Sequence, residues 1–355
     1  MSVSVVTAPV VTLPRHQVST GELLDHISEL YEGHQGLPVA RRIIESTSVR
    51  TRWYSRPLQQ QFTSAPALAE RTREHLRESL DLAEKAASGA LFEAGLTPAD
   101  IDGLVVLSST GHTMPGLDVL LIEKLGLPAS VCRIPVTQVG CAGGLFGIIR
   151  AMEVVAARPG STVLVVCADV YSHYLHGGDS GLDGMILKGL FGDAAGACVV
   201  RTETDGPRMR LTGSWEYVHP GTHHLVGSHT DNDGLHAHNS AELRHAIRDA
   251  MPRLVDWLRR TAPAGVDPAP AFVVTHTGGP RILDVFAEGL GCAPDMLDRA
   301  RDSLRELGNV GSVSVLDVLE RTFAKSPPEG SHGLLLAAGP GVSLVAVRAT
   351  WRTWD

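Results

Sequence analysis

Lysine is almost missing from this chain: four of its 31 basic residues are lysine and 27 are arginine. We read that as a coding bias of the source. Positive charge is short overall, with 39 acidic residues and a formal net charge of −8. A dedicated nucleic-acid binder carries a basic excess, so no nucleic-acid partner is expected. Long apolar runs are absent too. No stretch reaches 18 consecutive apolar residues, which excludes an evident membrane span. The apolar N-terminus has no basic flank and meets Pro9, Pro14 and Arg15, so it reads as a first β-strand and not as a leader. The five cysteines (132, 141, 167, 198 and 292) are odd in number and show no CxxC spacing. That argues against a disulfide framework and for a reducing, cytoplasmic setting. What is present is ordinary globular material, 355 residues with 43% hydrophobic and 20% charged. Such a chain holds two domains, or one large α/β unit built of two halves.

Short β-rich runs bounded by Gly, Pro or Asp predict strands at 103–107, 161–167, 196–201, 271–275 and 342–350. Apolar residues at three- and four-residue spacing predict helices at 65–94, 117–124, 145–157, 241–261 and 281–290. Strands alternating with helices indicate α/β layers. Each half shows a long helix, a strand, a polar turn and another helix. That rhythm predicts a duplication with its seam at 202–207, dividing the chain into 1–205 and 206–355.

Around Cys141 the sequence runs Val139-Gly140-Cys141-Ala142-Gly143-Gly144: extended chain, tight turn, apolar helix. The glycines let the backbone turn sharply and a substrate approach closely. A cysteine at a helix N-terminus sits where the dipole favours the nucleophilic thiolate, so rapid alkylation near neutral pH is expected. Taken alone, Cys141 reads equally well as a small buried hydrophobe. Cys167 and Cys198 lie inside apolar strands and read as core. His276 follows a strand and precedes Thr277-Gly278-Gly279-Pro280. Asn309 lies between Gly308 and Gly311 at the start of an apolar helix. Singly, they read as a structural histidine and a helix cap. Together with a cysteine they suit acyl transfer, the imidazole and amide donating to a thioester oxygen.

In family order and spacing these motifs are joined by others: the segment from Ser108 through Ser109 to Met114-Pro115-Gly116, Gly189-Leu190-Phe191-Gly192-Asp193, and Gly339-Pro340-Gly341. The ordered set covers nearly the whole chain and resembles the type III polyketide synthases, the chalcone-synthase-like enzymes. The resemblance implies a duplicated thiolase-like α/β fold, layered α-β-α-β-α with two pseudo-equivalent halves, and a homodimer. It implies Cys141 as the nucleophile carrying the acyl chain, with His276 and Asn309 driving decarboxylation. Phe191 would be the gate between tunnel and cavity. Met114 would reach into the partner's cavity, and Gly339, Pro340 and Gly341 would shape the floor. Ser109 and Gly311 would line the cavity. Tyr171, His173 and Tyr174 would face it where plant enzymes carry small residues, leaving less room. Ala237 stands where the family has a second gate Phe. Arg42 and Arg50, with Arg52 nearby, would grip CoA. No metal or tightly bound cofactor is implied; the substrates would be malonyl-CoA and an acyl-CoA starter, with an acyl carrier protein as a further possible donor. The competing reading is a ketoacyl-ACP-synthase-III-like enzyme making one condensation or acyl transfer. That family follows its His with Gln-Ala-Asn, not Thr-Gly-Gly-Pro. The histidines at 219, 223, 224, 229, 236, 238 and 245 lack metal-ligand spacing. They read as a polar segment over the cavity, with His229, His236 and His238 as candidate substrate contacts.

Overall fold

The computed structural model describes residues 4–62, 68–202, 208–230 and 235–352. The chain opens with β1 (Ser4–Val6), β2 (Val10–Thr12), β3 (His16–Ser19), α1 (Thr20–Leu30), α2 (Leu37–Ser46), β4 (Thr51–Tyr54) and α3 (Leu58–Gln61). The first α/β body follows: α4 (Leu68–Glu93), β5 (Gly103–Leu107), α5 (Leu117–Leu125), β6 (Cys132–Val136), α6 (Gly143–Ala157), β7 (Thr162–Asp169), α7 (Leu182–Leu190) and β8 (Ala194–Thr202). Next come β9 (Arg208–Val218) and a hairpin of β10 (Val226–Thr230) and β11 (Leu235–Asn239). The second body holds α8 (Leu243–Thr261), β12 (Phe272–Thr275), α9 (Pro280–Leu290), α10 (Asp298–Leu307), α11 (Ser314–Ala324), β13 (His332–Gly339) and β14 (Ser343–Arg352).

The expected strands and helices are present over the described residues, most of them a residue or two longer or shorter; residues 65–67 of the first expected helix lie outside the described residues. Local chemistry sets several ends. Ser19 and Glu22 form a reciprocal capping box at the start of α1. Gly126 and Gly291, both left-handed, stop α5 and α9. The expected seam at 202–207 falls almost wholly on 203–207, outside the described residues.

Ten strands share one sheet in the order β12-β13-β14-β9-β1-β8-β7-β5-β6, with β2 joining β8. The same pairing recurs at both ends. β5 runs parallel to β7, which is antiparallel to β8. β12 runs parallel to β13, which is antiparallel to β14. α6 packs on β5, β7 and β8 from one end and on β13 and β14 from the other; α11 packs on β8 and on β12 and β13. Both helices therefore lie between two sheet layers, while α4 covers β7 and β8 outside and α8 covers β9 and β14. This is the expected helix-sheet-helix-sheet-helix layering. It also explains the apolarity of α6. The stretch Gly140–Ala157 has a mean hydropathy of 1.4, enough for a membrane helix, but here it fills the centre of the molecule.

Candidate active site

Two matching turns meet at the centre. Cys141 lies in a 3-10 turn, Gly140–Ala142, leading into α6; Asn309 stands just before the turn Gly311–Val313, leading into α11. Glycines set their approach. A Cβ on Gly144 would lie 2.3 Å from the Ser312 carbonyl oxygen, and one on Gly140 2.5 Å from Pro340. The Gly-Cys-Ala-Gly-Gly motif is thus the space into which α11's first turn and the Gly339-Pro340 loop are pressed. Asn309 is held from behind as well. Its N–H donates to the Leu190 carbonyl at 2.8 Å, and its carbonyl accepts from the Gly192 N–H at 3.1 Å. That backbone bridge joins the Asn309 motif to the Phe191 motif.

The side-chain amide has one orientation. Asn309 Oδ1 accepts from the Gly311 N–H at 2.9 Å and the Ser314 hydroxyl at 3.3 Å. That leaves Nδ2 to donate to Cys141 Sγ at 3.5 Å, while the thiol lies 3.6 Å from Oδ1, within reach to donate to it. Asn309 acts as a local cap and as a donor at once. His276 is fixed in the same way. Its Nδ1 accepts from the Ala338 N–H at 3.3 Å, which leaves the proton on Nε2. Burial holds the imidazole down to about 4, so it is neutral over the working range. A Cβ on Gly278 would meet Nε2 at 2.6 Å, so a glycine keeps that nitrogen clear.

Cys141, His276 and Asn309 line one cavity of about 510 Å³. Ser109, Tyr171, Tyr174, Phe191, Ala237, Gly339 and Pro340 line it too. The hairpin supplies Val226, Gly227, Ser228, Ala237, His238 and Asn239 to the wall. Of the three histidines offered as substrate contacts, His238 lines the cavity, whereas His229 stacks on His236 at 5.2 Å. Among the described residues, no group of three or more His, Cys, Asp or Glu is placed to hold a metal ion.

Several expectations need correction. His173 does not line the cavity; it is buried, its Nε2 bonded to Glu78 at 2.7 Å and its Nδ1 to Arg56 at 3.2 Å. It belongs to the 3-10 turn Tyr171–His173 that presents Tyr171 and Tyr174, and residue type alone did not reveal its direction. Gly311 lies behind Tyr171, not on the wall, and Gly341 sits beyond the loop, its carbonyl bonded to Thr222. Met114, expected in a partner's cavity and not in its own, is 99% exposed and lies outside this chain's cavity, which leaves that expectation standing. Arg52, named beside Arg42 and Arg50 for CoA, is buried and donates to Thr20 and the Gly189 carbonyl, whereas Arg42 and Arg50 are exposed outside the cavity, where a CoA contact stays open. The thiolate expected at Cys141 is opposed by its surroundings. Burial pushes the thiol up to about 11, and the Asn309 amide offsets only part of that cost.

Sequence reasoning missed the groups behind the wall. Asp169, fully buried, accepts from the Ser109 N–H (2.7 Å), the Ser312 N–H (2.8 Å) and the Ser312 hydroxyl (2.7 Å). It ties β5, β7 and α11 together beneath the sulfur. Asp193 does the same for Ser55 and Ser172. Burial raises both carboxyls, and the donated hydrogen bonds pull them back. His75 bonds the cavity residue Thr110 at 2.8 Å and is held by burial down to about 3. The available signal was a lone carboxylate ending an apolar strand (Val166-Cys167-Ala168-Asp169).

A thiol, two neutral hydrogen-bond donors and a mostly apolar cavity suit acyl transfer. The comparisons agree. The family model for chalcone and stilbene synthases, N-terminal domain, matches residues 40–204, and its C-terminal counterpart matches 210–349. The chain therefore belongs to the chalcone and stilbene synthase family, the type III polyketide synthases. It is an acyltransferase-type enzyme of decarboxylative condensation, and the one-step ketoacyl-ACP-synthase reading is not supported. A phloroglucinol synthase of Pseudomonas fluorescens is 30% identical over 348 residues, covering 98% of this chain and 99% of that protein. A 1,3,6,8-tetrahydroxynaphthalene synthase of Streptomyces coelicolor is 32% identical, covering 98% and 92%. The solved structure of the Streptomyces coelicolor tetrahydroxynaphthalene synthase superposes with a TM-score of 0.93 at 31% identity, covering 98% of this chain and 99% of that one. Germicidin synthase of the same species superposes at 0.92 with 28% identity, covering 99% and 100%.

Proposed function

We propose that this enzyme loads an acyl-CoA or malonyl starter on Cys141, extends it with malonyl-CoA, and releases a short cyclised polyketide, a pyrone or an aromatic. The observation that carries this is the pairing of His276 Nε2–H with Asn309 Nδ2–H in the chamber that holds the Cys141 sulfur.

Loading forms a C–S bond from Cys141 to the acyl carbon and breaks the bond to CoA. The thiol proton ends on the departing CoA sulfur, so the step needs no resting thiolate. Malonyl-CoA then enters. Its bond to the carboxylate carbon breaks, CO₂ leaves, and the electron pair moves onto the thioester oxygen as an enolate. His276 and Asn309 donate to that oxygen, and being neutral and pre-oriented they need no reorganisation. The enolate carbon attacks the Cys141 thioester, forming the new C–C bond and expelling the sulfur, which recovers a proton. The lengthened chain on CoA reloads on Cys141 for the next round. Tyr171, Tyr174 and Phe191 bound the space for growth, which favours few rounds.

The division 1–205 and 206–355 is part of the proposal: the first half supplies the sulfur, the second both donors. So is a homodimer, supported by the exposed Met114. Arg42 and Arg50, outside the chamber, are our candidates for CoA phosphate contacts, and an acyl carrier protein is a second possible donor. All five cysteines are free thiols, which supports a cytoplasmic setting.

The test is one assay: purified protein, labelled malonyl-CoA and a panel of acyl-CoA starters, with products read by mass. Cyclised products carrying two or more malonyl units are expected. A lone β-ketoacyl product, or CoA release alone, overturns the reading.

A further inference from the structure

Tyr171 places an unpaired donor inside the cavity. Its ring stacks on Phe191 with centroids 4.2 Å apart and planes 24° apart. Its phenol end rests on Gly311, where an added Cβ would lie 2.4 Å from the hydroxyl and 2.5 Å from Asp169 Oδ2. The missing side chain at 311, at a φ of +60°, is what lets a tyrosine stand there. Nearby acceptors are already used. Asp169 Oδ2 takes both donors of Ser312, and Asn309 Oδ1 takes Gly311 and Ser314. Among the described residues, no protein group pairs with the Tyr171 hydroxyl, and the residue lines the cavity. A tyrosine hydroxyl in such surroundings finds a partner. Burial keeps it a phenol and therefore a donor.

We propose that Tyr171 is a substrate-holding residue that donates to the β-keto oxygen of the chain tethered at Cys141. This rests on the polyketide synthase reading above. A starter need not carry such an oxygen, but every chain that has undergone one condensation does. The clamp between Phe191 and Gly311 fixes the hydroxyl beside the turn that orients the Asn309 donor. Tyr171 therefore favours chains already extended over fresh starters, and biases the enzyme toward finishing what it has begun.

Acetoacetyl-CoA and butyryl-CoA have the same four carbons and differ in the keto oxygen. The ratio of their single-turnover loading efficiencies on Cys141, read by intact-protein mass, isolates that atom. Tyr171→Phe keeps the ring and the stack, and is expected to lower the acetoacetyl preference about five- to tenfold, the worth of one hydrogen bond. Gly311→Ala, which pushes the hydroxyl aside, is expected to lower it in the same direction. A ratio unchanged in Tyr171→Phe, or an equal loss for both thioesters, overturns the proposal, because space-filling alone moves both together. Wild-type enzyme that makes no extended product from malonyl-CoA would instead refute the function itself. The loading ratio is read independently of that outcome.

Discussion

Replacing Asn309 separates its two duties. The alanine variant loses the Nδ2 donor and also leaves the Gly311 N–H without its 2.9 Å acceptor. Loss of one pre-oriented oxyanion donor lowers rate by about 10²–10³, or roughly 2.7–4 kcal/mol. The orphaned N–H adds about 1–3 kcal/mol of lost stability. Asn309→Asp breaks that link. Aspartate caps a turn as well as asparagine, so Gly311 keeps its acceptor and stability is largely recovered. It offers the enolate an acceptor in place of a donor, so the rate is not. The assay is CO₂ release from malonyl-CoA in a Cys141→Ala background, where no chain can form on sulfur, alongside thermal melting of each protein. Expected are a stable Asp variant and a less stable Ala variant, both decarboxylating at least 100-fold more slowly than the parent. An Asp variant that releases CO₂ at nearly the parental rate would refute the donor role and reduce Asn309 to a cap.

Alkylation of Cys141 by iodoacetamide is expected to be slow at neutral pH and to rise through the alkaline range, because reactivity follows the thiolate and burial sets that titration near about 11; a rate that is fast at pH 7 and already flat by pH 8 contradicts it. Gly144→Ala puts a methyl 2.3 Å from the Ser312 carbonyl, and should cost about 1–3 kcal/mol in chemical denaturation and abolish condensation; a neutral effect would mean the two turns are not in contact. Tyr174→Ala opens the cavity and should lengthen the product by mass. His173→Ala breaks the Glu78–Arg56 network outside the cavity, and should lower the melting temperature without changing the product profile; a longer product from His173→Ala would put that residue back on the wall.

That Cys141, His276 and Asn309 would share one cavity was legible because each sits in a short, self-contained pattern: glycines around Cys141, a strand end before His276, glycines around Asn309. The α/β class followed from the strand and helix periodicities, and the five-layer arrangement from the family resemblance. What sequence did not disclose depends on long-range geometry. Asp169 is understood only once Ser109 and Ser312, far apart in the chain, both donate to it. His173 and Tyr171 belong to the same 3-10 turn, Tyr171–His173, and their opposite destinations depend on Glu78 and Phe191 lying on different sides. The opposition to a Cys141 thiolate was hidden for a related reason. A helix-end rule is local, whereas the desolvation opposing it comes from every layer around the sulfur.

The bridge between Asn309 and Leu190–Gly192 makes the Phe191 wall and the Asn309 amide one mechanical part. Phe191 placed this way cannot swing without dragging Asn309 with it. Diversity among such enzymes then has an uneven geography. Hairpin and turn positions such as Ala237 and Tyr174 are free to change what is made. The segment around Phe191 can be exchanged only together with the one around Asn309. A chimera that transplants one without the other should fold and yet lose its timing, admitting substrate to a centre that no longer matches it.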